Sequence, residues 1–197
     1  MGMPGIEAIL GSAGGAHSDT MRSLVTPRLR LEPLVVAHAD ALFAMHCDPL
    51  HRRFLDHGAP ASLQALRERH ARLESRRSAD GREHWLNWAL VALPGDRADG
   101  ALGVVQATVL HEGTAWVAYE VAPAHWGQGL ASEAVRAMLP HLAQHYRAQC
   151  FLATVDRRNE RSWRLLERLG FGRASDAAAQ ALDVHSGDWL YQRSAVT

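Results

Sequence analysis

The sequence predicts one α+β domain, a mixed and mostly antiparallel sheet flanked by helices. Three observations carry this. From His84 to Val121, apolar and β-branched runs are joined by short polar turns, the pattern of an antiparallel meander. After Val121 the apolar spacing changes to every fourth residue, and helices then alternate with two further strands. No internal repeat or linker interrupts the 197 residues, and 47% hydrophobic with 21% charged residues suits a single core.

In chain order, residues 1–21 are rich in Gly, Ala and Ser and are expected to be a flexible tail; residues 22–197 are the domain. Leu29 and Leu31 alternate with Arg28, Arg30 and Glu32 as an amphipathic strand ended by Pro33. Ala37 to Cys47 reads as a helix stopped by Asp48-Pro49. Ser62 can cap a helix running to Arg77, with Leu63, Leu66 and Leu73 as its apolar stripe and Arg67, Arg69, Arg72, Arg76 and Arg77 as a solvated face. The meander strands are Trp85 to Leu93, Leu102 to Leu110 and Ala115 to Val121, with turns at Pro94 to Gly100 and His111 to Gly113. A helix from Leu130 to Tyr146, a strand from Gln149 to Val155, a helix from Asn159 to Leu169 and a strand from Asp188 to Gln192 follow. Pro140 should kink or shorten the first of those helices.

Composition excludes several partner classes. The formal net charge is zero, which gives no reason to expect nucleic acid or an anionic membrane, although all 21 basic residues are Arg. No apolar run has the length of a membrane span. Cys47 and Cys150 are far apart and read as free thiols of a reducing cytoplasm. His141 and His145 share a helix face ahead of Cys150, but no third ligand has matching spacing, so they read as a surface pair and no metal is expected.

The most informative stretch is Y-E-V-A-P-A-H-W-G-Q-G-L-A-S-E-A, residues 119–134. A strand ends at Pro123, Gly127 and Gly129 flank Gln128, and a helix opens with Leu130, Ala131, Ser132 and Glu133. Such a turn aims unpaired N–H groups at one point and suits a phosphate or pyrophosphate. The three-glycine dinucleotide fingerprint and the Gly-Lys-Ser/Thr loop are both absent, since there is no lysine. Spacing alone leaves open an ordinary strand–helix turn. The residues themselves resemble the acetyl-CoA motif of the GNAT N-acyltransferases, above all the RimJ/RimL branch. Gly129 and Ala131 fill the last two fixed positions of that motif, and Trp126 replaces the first, a Gln or Arg. The opening T-P-R-L-R-L-E-P-L is similar to the first strand of the same branch.

A second match is N-E-R-S-W-R-L-L-E-R-L-G-F, residues 159–171. Its apolar spacing says only that it is a core helix. The resemblance implies that Asn159 contacts the pantetheine arm or the nearby CoA backbone. Where many members carry a tyrosine general acid, this chain has Leu166, so Ser162 or a water is the candidate acid; a serine in the first helical turn can equally bond to backbone. The resemblance further implies a GNAT-like fold, acetyl-CoA held by Val121, Ala122, Gly127, Gln128, Gly129, Leu130, Ala131, Ser132 and Asn159, and a split beside the strand ending at Val121. Glu120 is the carboxylate nearest the expected thioester and the candidate general base, directly or through water. It can also be a solvent-facing glutamate or an arginine partner, and His125 is a second candidate base.

These readings predict an acetyl-CoA-dependent N-acetyltransferase acting on a primary amine, a protein N-terminus or a small molecule, by direct transfer. The alternative is a non-catalytic acyl-CoA-binding domain on the same fold; a third reading is a binder whose cleft no longer admits CoA. A homodimer is also expected, with Trp189 and Tyr191 as core or interface residues.

Overall fold

The computed structural model describes residues 21–55, 58–93 and 100–195. Its strands are β1 (Leu24–Val25), β2 (Leu29–Pro33), β3 (Glu83–Ala92), β4 (Ala101–Leu110), β5 (Thr114–Val121), β6 (Cys150–Asp156), β7 (Gly172–Arg173) and β8 (Asp188–Ser194). The helices are α1 (Ala39–Cys47), α2 (Leu63–Leu73), α3 (Leu130–Tyr146), α4 (Glu160–Arg168) and α5 (Asp176–Ala181). All eight strands form one sheet in the order β1-β2-β3-β4-β5-β6-β8-β7. Every neighbouring pair is antiparallel except β5 and β6, which run parallel.

That parallel pair is where the site forms. β5 pairs with β6 only over Thr114–Trp116 against Cys150–Leu152. Beyond this, β5 stays on β4 as far as Val121, while β6 stays on β8 as far as Asp156. The sheet is therefore zipped at one end and split at the other.

Alternation along β4 and β5 sorts their side chains onto two faces. Val105, Ala107, Val117 and Val121 join Leu130, Val135, Met138 and Leu142 of α3 and Leu165 and Leu166 of α4 in the main core. Opposite them, Ala89 and Val104 pack beneath Leu42 and Met45 of α1. Leu152, Ala174 and Leu190 form a small cluster with Trp116 and Ala178.

Local chemistry explains the element ends. The Ser62 hydroxyl accepts from Ala65 N at 3.1 Å, and α2 stops at Leu73 rather than Arg77. α4 closes with Phe171 N on Leu166 O and Gly170 N on Glu167 O, with Gly170 at φ 79°; this paired closure needs the left-handed residue that glycine supplies. The kink or shortening expected at Pro140 takes no toll on length: α3 continues through it to Tyr146. Pro140 and Arg136 are both exposed, so the carbonyl that loses its N–H partner faces water.

β1, β7 and α5 were not legible in the sequence. Two-residue strands are too short for periodicity, and α5, D-A-A-A-Q-A, has no apolar stripe and starts from the Ser175 cap on Ala178 N. Met21, the last residue of the expected tail, is only 5% exposed and belongs to the main core. The rest of that tail, and most of the turn expected at Pro94 to Gly100, lies outside the described residues.

Candidate active site

Glu120 and Tyr119 are neighbours on β5 and so point to opposite faces at the split. Glu120 is buried, not solvent-facing. His51, in the short 3-10 turn after α1, lies with Nε2 2.8 Å from Glu120 Oε2, and His46 of α1 has Nδ1 3.6 Å from the same oxygen. Both imidazoles are buried too. Burial holds the His46 pKa down at about 4, against the pull of the Glu120 charge, so His46 is neutral near pH 7. Among the described residues, these three are the group whose donor atoms, all within 4.8 Å of one another, could hold a metal ion.

The backbone brings this group close. Gly103 on β4 is paired with Val121, and a Cβ there would overlap the Glu120 carbonyl, so the β4–β5 approach at the split needs glycine.

On the other face, Tyr119 Oη lies 2.8 Å from Ser162 Oγ and donates to Ser162 O at 3.0 Å. Burial pushes the Tyr119 phenol well above its ordinary pKa, which keeps it protonated. Ser162 thus carries a phenol at its back, a partner the sequence did not disclose. Leu166, at the family's usual tyrosine position, is fully buried in the core. Asn159 caps α4, its side-chain oxygen accepting from Ser162 N at 3.3 Å; its amide NH2 is what remains to meet a ligand.

Past the end of β5, the chain makes a short 3-10 turn at Pro123–His125, which includes the half-buried His125, and then reaches the glycine turn. Gly127 and Gly129 have φ 75° and 78°, and Gly129 is the N-cap of α3. Gly127, Gln128 and Gly129 are exposed. The first intrahelical donor is Glu133 N, on Gly129 O at 3.0 Å, so the N–H groups of Leu130, Ala131 and Ser132 precede the ladder and open onto the turn. Arg28 was read only as a strand residue. It donates to Gln128 O at 2.8 Å and pairs with Glu133 at 2.6 Å, bringing a cation to the turn. Glu133 also accepts from Thr26 Oγ1 and Arg28 N, tying α3 to the start of β2.

Between strand and turn, the backbone is partly occupied. Trp126 Nε1 donates to Val121 O at 2.6 Å, Ala122 N to Leu102 O at 2.8 Å, and His125 N to Ala122 O at 2.9 Å. What Val121 and Ala122 still offer a ligand is the Val121 N–H, which alternates away from β4 toward the split, and the second lone pair of each carbonyl. Trp126 thus replaces a polar motif residue with one that braces the strand end, and the Arg161 guanidinium stacks over its ring at 5.0 Å.

Other expectations resolve differently. His141 is buried beside Trp88, His145 and Tyr146, so it is not half of a surface pair. Arg67 bonds Asp40 of α1 at 2.7 Å. Tyr191 is buried and donates to Glu167 at 3.2 Å, while Trp189 packs on Trp163 and under Arg173, so both aromatics are engaged within the chain.

The geometry matches known proteins. A family profile described as an acetyltransferase (GNAT) domain matches residues 28–172. A Bordetella pertussis protein described as of the GnaT acetyltransferase family is 28% identical, with a TM-score of 0.65 over 88% of this chain and 99% of that one. RimJ of Mycobacterium smegmatis, solved with a CoA disulfide, is 19% identical, with a TM-score of 0.71 over 89% of this chain and 88% of that one. RimL, a ribosomal L7/L12 alpha-N-protein acetyltransferase solved with coenzyme A, is 18% identical, with a TM-score of 0.69 over 88% and 98% of the two chains. At these last two identities the likeness is one of fold.

Proposed function

Because the chain belongs to the acetyltransferase (GNAT) domain family, we propose that it moves an acetyl group from acetyl-CoA directly to a primary amine in a ternary complex. The observation that carries this reading is the split between β5 and β6. It opens between a buried carboxylate on one face and a hydroxyl pair on the other, with an anion-suited helix start just beyond.

In this reading the pyrophosphate sits on Gly127, Gln128, Gly129 and the N–H groups of Leu130, Ala131 and Ser132, with Arg28 alongside. The pantetheine runs toward the split past the Val121 and Ala122 carbonyls and the Asn159 amide. The amine approaches from the α1 face, where Glu120 takes its proton as it attacks the thioester carbon. His51 holds the carboxylate in place. The carbon–sulfur bond breaks as the new carbon–nitrogen bond forms, and Ser162, backed by Tyr119, passes a proton to the departing thiolate; solvent restores the Ser162 proton and takes the one held by Glu120. Holding both substrates in one cleft supplies orientation. No step in this sequence requires a metal.

The acceptor is a protein N-terminus or a small-molecule amine, in line with the RimJ/RimL resemblance. In the homodimer implied by that resemblance, Tyr191 is a core residue rather than an interface residue. The two free thiols, Cys47 and Cys150, suit the reducing cytoplasm. Among the described residues no helix is long and apolar enough to cross a membrane.

The test is CoA thiol release from acetyl-CoA with a panel of peptides and small amines. Amine-dependent release supports transfer. CoA binding without release under any acceptor supports the acyl-CoA-binding alternative, and the absence of CoA binding overturns both.

A further inference from the structure

The buried group His46, His51 and Glu120 has a composition that base catalysis alone does not call for. A single carboxylate acting as base needs one orienting donor, and His51 supplies it at 2.8 Å. His46 directs a second ring nitrogen at the same oxygen from 3.6 Å, outside hydrogen-bonding reach. Two imidazoles and one carboxylate converging on one point, with side-chain exposures of 7%, 4% and 6%, are the donor set of a divalent transition-metal site.

We propose that His46 Nδ1, His51 Nε2 and Glu120 Oε2 bind a Zn²⁺ ion, and that the ion inhibits acetyl transfer. Zinc bonded to nitrogen and carboxylate oxygen at about 2.0–2.2 Å in a tetrahedron sets its donor atoms roughly 3.3 Å apart. The two separations to Oε2, 2.8 and 3.6 Å, lie on either side of that value. The third separation, between the two imidazole nitrogens, is within 4.8 Å, so an ion entering between the donors would draw the two rings together. His46 is neutral and its Nδ1 lone pair can face the ion, with the ring proton on Nε2. The proton that His51 presents to Glu120 must leave Nε2 to free that lone pair for the ion. Among the described residues three donors converge, and the fourth tetrahedral position would fall to water or a further ligand. The donors also come from separate elements: α1, the turn after it, and β5. An ion would thus tie the α1 layer to the edge of the split.

The inhibition rests on the reading of Glu120 as base, because zinc on one carboxylate oxygen withdraws charge from the other and makes it a far weaker acceptor of the amine proton. The binding does not rest on that reading, so the two are measured separately. The full chain, stripped with chelator, is titrated with Zn²⁺ alone by calorimetry, and Co²⁺ replaces Zn²⁺ for visible absorption. The expected result is one tight site per chain, with the strong visible bands of four-coordinate Co²⁺. His46→Gln and His51→Gln should each weaken Zn²⁺ by more than roughly the 10–100-fold that even outer-shell partners carry. His145→Gln should leave it unchanged. Circular dichroism checks that each variant is folded, and either histidine variant suffices if the other is not. No stoichiometric Zn²⁺ uptake, or uptake indifferent to both histidine variants, overturns the proposal. If Zn²⁺ binds through these residues and chelator-reversible inhibition is missing, the inhibitory part is overturned, while Glu120 as base stands or falls by the Glu120→Gln kinetics.

Discussion

Glu120 and Tyr119 are adjacent in the chain and both line the split, yet their surroundings are opposite in kind. Glu120 meets two imidazoles carried by α1 and the turn after it. Tyr119 meets the Ser162 hydroxyl at the start of α4 and is held neutral by burial. One strand at the mouth of a split can thereby set a proton acceptor on one face of the sheet and a proton donor on the other. The proton taken from an amine and the proton given to a thiolate need never share a site.

Removing the acceptor side should do the most damage. Glu120→Gln should lower kcat by roughly 10²–10⁴-fold, the usual share of one acid–base group, with acetyl-CoA affinity almost unchanged. Steady-state kinetics with one identified amine checks this. The glycine turn, proposed to hold the pyrophosphate, serves both faces and should fail differently. Gly129 has φ 78°, so Gly129→Asp strains the backbone and adds a negative charge where the pyrophosphate would lie. CoA affinity should fall by about 100-fold or more, read by calorimetry, with the fold retained.

The helices over the Glu120 face should also loosen first in acid. His70 of α2 is buried, and burial lowers its pKa from 6.5 to about 4. The fold favours neutral His70, so the unfolded chain takes up a proton that the folded chain refuses between those values. Stability is full above pH 6.5 and falls as pH drops toward 4, by at most about 3 kcal/mol for this group at 1.36 kcal/mol per pKa unit. Urea midpoints at pH 7 and pH 4.5 should show a shallower pH slope in His70→Gln than in the parent.

The donor side should give the smallest effect. A thiol with pKa near 8.5 is a fair leaving group, so Ser162→Ala should cost about 10-fold in kcat or less. Tyr119→Phe should cost less still, since Ser162 remains. If Tyr119→Phe is the more damaging change, the phenol itself protonates the sulfur.

How far the site could be read from the sequence follows the same division. The glycine turn and the start of α3 are contiguous, so the helix start could be read from them, and their resemblance to the family motif raised the expectation of an anion there. The meander, α3, β6 and α4 were legible for the same reason, since periodicity is local. The Glu120 pocket was not, because His51 is 69 positions away from Glu120 and nothing in its spacing points there. Arg28 was hidden likewise: alternation marked it as an exposed strand residue, and only the sheet brings it to Gln128. Tyr119 on Ser162 is a contact between β5 and α4 that no single segment encodes.

The role of Glu120 is tested most directly by the pH–rate profile of Glu120→Gln beside the parent, with one acceptor. If Glu120 takes the amine proton, its loss should hurt most at low pH, where the amine is protonated. The gap between the two enzymes should then narrow as pH rises toward the amine pKa. A Glu120→Gln enzyme with full activity at neutral pH would contradict this, and would move the base to His125 or a water.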